Sequence, residues 1–441
     1  MTRAPSARGS AADVLRLAVP ALPVLAAEPL YLLVDTAVVG RLGAVALAGL
    51  AVAGVLFAQV TSALTFLSYG TTARAARLHG AGRRAEAVAE GVQATWLALA
   101  VGLVLLVVGQ LVAEPVTAAL GDGGEIAEAA VSWLRIALLG TPLVLVTLAG
   151  NGWMRGVQDT RRPLWFVLTG NGVSAALCPL FVLVLDWGLI GSAWANVCGQ
   201  TLAAALFFAA LVGERSRGHV GLRPQPRVIA AQLELGRDLI ARTLAFQVCF
   251  LSATAVVTRF GAQTAAAHQI VLQVWMFITL VHDALAIAAQ QLVGAALGAG
   301  DGERARDLAR RILRYGVVMG VVFAVVFAVL SGIAPPWFTP DAAVLAVVPV
   351  AWWFLTALQP VSGAVFALDG VLLGAGDAAY LRTTTLAAAL VGFLPAIWAS
   401  LAFGWGLAGV WSGLAAFMLL RLVAVLVRTR SGAWAVPGAV R

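Results

Sequence analysis

Long runs without a charged residue constrain this chain more than any other feature. Val92–Leu111, Leu164–Leu185 and Val317–Ile333 contain no Asp, Glu, Lys or Arg. A bilayer core about 30 Å thick is crossed by roughly 20 apolar helical residues. In lipid the backbone must satisfy its own hydrogen bonds, so such runs predict transmembrane helices. The composition agrees, at 61% hydrophobic and 11% charged residues. Soluble domains average about 25% charged residues, so the polar surface for a 441-residue soluble globule is missing.

Twelve spans are predicted, near 17–42, 45–72, 88–112, 127–151, 164–187, 189–213, 238–260, 264–296, 313–337, 343–373, 380–403 and 407–429. The expected fold class is all-α integral membrane. The connections alternate in charge. The second holds Arg74, Arg77, Arg83 and Arg84, and the fourth Arg155, Arg161 and Arg162. The sixth holds Arg215, Arg217, Arg223 and Arg227, and the eighth Arg304, Arg306, Arg310 and Arg311. The tenth holds Arg382, and the tail Arg428, Arg430 and Arg441. Odd connections are poor in arginine, and one is acidic, with Glu114, Asp122, Glu125 and Glu128. Arginine excess marks the cytoplasmic side. Both termini are therefore expected inside, in a multi-pass protein of the plasma (inner) membrane. The polar start carries Arg3, Arg8 and Arg16, and the apolar run after it holds Glu28 and Asp35 and continues past Arg41. That pattern reads as an uncleaved first span rather than a signal peptide.

The net charge is +8, and all 29 Lys+Arg residues are arginine. With the arginines read as loop residues, they are topology signals, and no nucleic-acid partner is expected. Cys178, Cys198 and Cys249 lie in apolar spans without a CxxC pair, so neither a disulfide nor a metal site is expected.

The chain repeats itself. Thr36-Ala-Val-Val-Gly-Arg-Leu-Gly-Ala44 returns as Thr254-Ala-Val-Val-Thr-Arg-Phe-Gly-Ala262, 218 residues on. The same offset carries Gly80-Ala-Gly82 onto Gly298-Ala-Gly300, and Gly152, Gly156 and Asp159 onto Gly370, Gly374 and Asp377. It also carries Gly188-Leu189 onto Gly406-Leu407 and Gly191 onto Gly409. The implied organisation is an N-terminal six-helix lobe (1–213), a cytoplasmic linker (214–237) and a C-terminal six-helix lobe (238–441). Six spans per copy give both copies one orientation, related by a pseudo-two-fold axis along the membrane normal. Secondary transporters use such repeats as lobes that rock about a central site.

Function is sought where the copies differ. Asp35 has Ala253 as its partner at the repeat offset, so only the first copy carries this carboxylate. Glu28 lies seven residues, about two turns, before it, so both side chains are expected to point the same way. Pro20, Pro23 and Pro29 interrupt that helix, and Pro29 frees a carbonyl and permits bending. A charge near the bilayer centre costs at least about 2.5–3.5 kcal/mol. Asp35 and Glu28 are therefore read either as buried acids holding the lobe together or as a proton or cation site. Asn171, Asn196, His268, Gln269, Gln273, His282 and Asp283 are further polar residues of the spans. For the amides an interhelical hydrogen bond is the simpler role. Asn151 and Asp369 are repeat equivalents expected to cap a helix or close an inner gate. The four histidines form no HExxH pair, and GxSxG, Walker and GxGxxG contexts are lacking. Neither enzymatic activity nor a cofactor is expected.

Glu28-Pro-Leu-Tyr-Leu-Leu-Val-Asp-Thr-Ala-Val-Val-Gly-Arg-Leu-Gly43 resembles the first-helix signature of the multidrug and toxin extrusion (MATE) transporters, in their DinF-like branch. Gly152-Trp-Met-Arg-Gly-Val-Gln-Asp-Thr-Arg-Arg-Pro-Leu164 resembles that family's motif after the fourth helix. Asp283, Gly294, Gly298 and Asp301 resemble its eighth-helix pattern, and Leu368-Asp-Gly-Val-Leu-Leu-Gly374 its tenth. The resemblance implies two six-helix bundles that export drugs or metabolites by proton or sodium antiport, with Asp35 as the coupling acid. Some members pair that acid with a fifth-helix Asp in a GNxxNxxxD-like stretch. Here Asn171 is kept, but Ser174 and Cys178 replace the later Asn and Asp, and Asn196 stands where Thr is frequent. Glu28 could then supply the second acid, and the loss of an oxygen ligand favours protons over sodium. Arginines in loops and acids inside favour a cationic or neutral amphiphile as cargo of a monomeric transporter. The alternatives are a flippase for a lipid-linked precursor, a sodium-coupled antiporter, and a receptor or scaffold that transports nothing.

Overall fold

The computed structural model describes residues 10–120 and 124–439. The charge markers Arg3, Arg8, Asp122 and Arg441 lie outside the described residues. Fifteen α-helices follow one another, and no strand occurs among the described residues. They are α1 (Ala11–Val39), α2 (Ala44–Ala63), α3 (Phe66–Gly80), α4 (Arg84–Leu120), α5 (Glu125–Leu139), α6 (Thr141–Gly156), α7 (Arg161–Pro179) and α8 (Gly188–Gly218). The second half holds α9 (Pro226–Val257), α10 (Ala262–Gly298), α11 (Gly302–Leu330), α12 (Ala342–Gly374), α13 (Ala378–Ala388), α14 (Leu394–Phe403) and α15 (Gly406–Ser431).

Eleven of the resulting rods are long and apolar enough to cross a membrane, and α5 with α6, bent by 46°, makes a twelfth. The bend falls at Gly140-Thr141-Pro142, where the proline removes a backbone donor at the start of α6. Two spans contain a π-helical turn, at Leu180–Val184 and Ala389–Phe393. Helices reach Gly218 and restart at Pro226, so the basic stretch expected as a linker is largely helical.

Two compact units divide the chain. The N-unit is residues 19–236, and the C-unit is residues 237–439 with 10–18. Backbone geometry repeats at the sequence offset. Left-handed residues pair as Gly43 with Gly261, Gly82 with Gly300, Gln158 with Gly376, Asp186 with Gly404 and Gly188 with Gly406. The conserved-looking GAGD stretch has a local cause. Gly300 turns the chain at φ +82°, and the Asp301 carboxylate accepts from the Arg304 backbone N–H at 2.9 Å, capping α11.

Close helix packing repeats too. A Cβ on Gly152 would lie 2.8 Å from the Ser68 Cα, and one on Gly370 would lie 2.6 Å from the Ala286 Cα. Ser68 and Ala286 are themselves repeat partners. Glycine is thus required where α6 meets α3 and where α12 meets α10.

Ion pairs tie helix ends within each unit. In the N-unit Glu214 collects Arg84, Arg162 and Arg217, joining α4, α7 and α8. Arg74 and Gln232 both bond Glu90. In the C-unit Arg382 pairs with Asp238 at 2.6 Å, and Arg428 with Asp377 at 2.7 Å.

Candidate functional site

The N-unit places its unrepeated carboxylate in a built polar pocket. Ala27, Tyr31, Asp35 and Val39 form a buried stripe along α1 at four-residue spacing. Leu30 and Leu33, off that stripe, are 61% and 67% exposed. Asp35 is fully buried. Its Oδ1 accepts from the Ser192 hydroxyl at 2.6 Å and from the Cys178 thiol at 3.2 Å. Ser192 in turn accepts from the Trp133 indole N–H at 3.1 Å. Four helices, α1, α5, α8 and the end of α7, therefore converge on one carboxylate. Asp35 Oδ2 and the Tyr31 hydroxyl, one turn away, are buried without a hydrogen-bond partner. At the repeat offset, Tyr31, Asp35, Cys178 and Ser192 correspond to Cys249, Ala253, Ala396 and Val410. The pocket belongs to the N-unit alone.

Glu28 does not share it. The side chain is exposed, unlike Asp35. Seven residues fall about 20° short of two turns, and the buried stripe is only one residue wide, so the rotation carries Glu28 out. Pro29 lies inside α1 beside it. Asn171 is half-buried and its amide donates to the Val167 carbonyl of its own helix at 3.0 Å. Asn196 is buried on α8, one turn beyond Ser192. Ser174 is buried one turn before Cys178, against Gly199.

The C-unit positions form different groups. His268 is buried, both ring nitrogens lack partners, and its ring meets Trp411 edge-on at 6.0 Å. His282 donates from Nδ1 to the Ile278 carbonyl at 3.1 Å and packs on Phe323 and Phe366. Asp283 is half-buried next to it, and Gln269 and Gln273 are exposed. Among the described residues, no group of three His, Cys, Asp or Glu side chains could hold a metal ion.

Asn151 and Asp369 lie five residues before the ends of α6 and α12, so neither caps its helix. Asn151 is buried with its Oδ1 unpartnered. Asp369 is the centre of a buried ion triad, with Arg242 of α9 and Arg421 of α15 both donating to its Oδ2. The Arg421 guanidinium lies 4.9 Å from the Phe246 ring centre and 5.5 Å from that of Phe417. This corrects the reading of the arginines as loop residues. Arg242 and Arg421 sit within helices, and Arg421 is 2% exposed. An arginine inside a predicted span was the available signal. Nothing comparable marked Ser192, Trp133 or Tyr31, which are ordinary residues of apolar helices.

Comparison with known proteins covers the whole chain. A family model described as MatE matches residues 20–180 and again 239–398, once in each unit. "Protein DETOXIFICATION 44, chloroplastic" of Arabidopsis thaliana is 33% identical over 440 residues, covering 96% of this chain and 83% of that one. "DNA damage-inducible protein F" of Escherichia coli (strain K12) is 29% identical over 299 residues, covering 65% and 64%. The solved structure "Crystal structure of MATE in the bent conformation" superimposes with a TM-score of 0.86 at 21% identity, covering 95% and 94%. At that identity the likeness carries the fold, which is the twelve-helix arrangement expected from the sequence.

Proposed function

The chain belongs to the MatE family, and from that premise we propose that it exports small organic compounds in exchange for protons carried on Asp35. Members of the family are membrane transporters rather than enzymes. The observation that supports the proton site is the geometry of Asp35: one carboxylate oxygen is held by two donors, and the other is buried and unpartnered. Taking up a proton there removes a buried charge and leaves Ser192 and Cys178 free to keep their contacts. Releasing it restores a charge that those two donors stabilise. The site thus has two states that differ by a proton alone.

Sodium suits the pocket less well. Hard cations need several oxygen ligands. Here Ser192 points its hydroxyl hydrogen at Asp35, and Cys178 offers sulfur where a carboxylate would give oxygen. Pro29, six residues before Asp35, lets α1 bend as the charge changes. The two units then serve as the bodies of an alternating-access cycle. The N-unit acids Asp35 and Glu28 favour a cationic or neutral body in the cargo. Arginine-rich connections support the plasma membrane with both termini inside.

Sodium-free proteoliposomes with a pH gradient test the coupling ion. With the purified protein, a panel of organic ions of both signs should yield a compound that moves against the proton gradient. A sodium gradient at equal pH on both sides should move none. Transport that follows sodium and ignores pH would refute the proton reading.

A further inference from the structure

Two buried guanidiniums facing one carboxylate are an unusual content for a membrane-spanning core. A structural link between helices needs one arginine and one aspartate, which together are neutral. The C-unit holds two arginines on the same Asp369 oxygen, leaving one positive charge over. Removing an uncompensated charge from water is costly, and proteins retain it where a further counter-charge arrives. The repeat offers a control within the same chain. Positions equivalent to Arg242, Asp369 and Arg421 are Val24, Asn151 and Ala203. The N-unit packs the corresponding helices without any charge, so the fold does not require the triad.

We propose that Arg242 binds a carboxylate group of the exported compound, so that the cargo is an organic acid or a zwitterion on an apolar body. This deepens the export reading and rests on it. The two arginines differ in a way that assigns the role. Arg421 is 2% exposed at its side chain and is fixed between Phe246 and Phe417, with its Nη1 against the Met418 sulfur. Arg242 is 15% exposed at its side chain, and its Nε is unpartnered. An arginine has five N–H donors in a planar fork that matches a carboxylate in bidentate geometry. Arg242 spends one of its amino groups on Asp369, and the face with Nε remains for a second carboxylate. Phe246, on whose ring Arg242 also lies at 5.7 Å, and Phe417 supply apolar surface for the rest of the compound. Arg421 keeps Asp369 neutralised while Arg242 is engaged, so the incoming anion does not leave a bare aspartate behind.

The test uses full-length protein in nanodiscs and three probes of one shape: 2-naphthoate, 2-naphthamide and 2-naphthylmethylammonium. Binding is read by equilibrium dialysis. Naphthoate is expected to bind at least about tenfold tighter than naphthamide, the step that 1.4 kcal/mol gives. Arg242→Gln should abolish that advantage and leave naphthamide affinity unchanged. Naphthoate binding no tighter than naphthamide to the unaltered protein would overturn the proposal without any variant. So would an advantage that survives Arg242→Gln. Proton release on adding each probe to proteoliposomes separates the two readings. Release driven by the ammonium probe alone would sink the carboxylate position and leave proton exchange standing. Naphthoate binding in the expected pattern with no proton release from any probe would sink the export reading instead.

Discussion

Replacing Asp369 by Asn exposes what the C-unit triad contributes to stability. The change keeps the shape of the side chain and removes its charge, so two guanidiniums are left without a counter-ion. Breaking a buried pair by removing one partner costs about 3–5 kcal/mol. The side chains of Arg421 and Asp369 are 2% and 4% exposed, so that range applies to this pair. Arg242 is wetter and adds less. A destabilisation of about 3–5 kcal/mol is therefore expected for Asp369→Asn. Arg421→Met alone leaves the pair Arg242–Asp369 intact and should cost only about 1–2 kcal/mol, mainly the lost stacking on Phe246 and Phe417. Combining the two returns the charge count of the triad to that of the natural chain, so the double variant should be more stable than Asp369→Asn by about 2 kcal/mol. Unfolding in mixed detergent micelles, titrated with dodecyl sulfate and followed by tryptophan fluorescence, reads all three. Single-variant costs that simply add in the double variant would refute the electrostatic argument. An Asp369→Asn protein within about 0.5 kcal/mol of the natural chain would refute it equally.

Three further outcomes follow from the packing and the pocket. Gly370→Ala would drive a methyl to 2.6 Å from the Ala286 Cα, and should lower stability by about 1–3 kcal/mol, visible as a lower thermal midpoint in detergent. Gln158→Gly should raise that midpoint by the equivalent of about 1 kcal/mol, because Gln158 holds φ +61° where its repeat partner Gly376 does so without strain. Ser192→Ala removes the 2.6 Å bond to Asp35 and strands the Trp133 N–H. It should cost about 2–3 kcal/mol of stability and slow proton exchange, measured in the same vesicles.

Much of this was legible in the sequence, for physical reasons. Spans are written in charge-free runs because lipid permits nothing else, and the repeat is written in glycines because helices touch or turn there. Gly152 and Gly370, or Gly82 and Gly300, could be matched before any coordinates. Asp35 stood out because a carboxylate in a span is costly and its partner is Ala253. Its surroundings were not legible. Ser192 and Trp133 reach Asp35 from α8 and α5 across more than a hundred residues or nearly so, and a serine in an apolar helix carries no mark of its own. Helical phase misled for Glu28, since a small error over two turns separates a buried face from an exposed one. Arg242 and Arg421 were visible but were absorbed into the charge count of the loops, which hid the triad and with it the sign of the C-unit's buried charge.

The central claim is that Asp35 carries the exchanged proton. Purified protein in sodium-free proteoliposomes, given an organic ion that it transports, should release protons into a pH-sensitive dye, and Asp35→Asn should bind the same ion yet release none. An Asp35→Asn protein that releases protons like the natural chain would contradict the account and leave Asp35 as a buried structural acid.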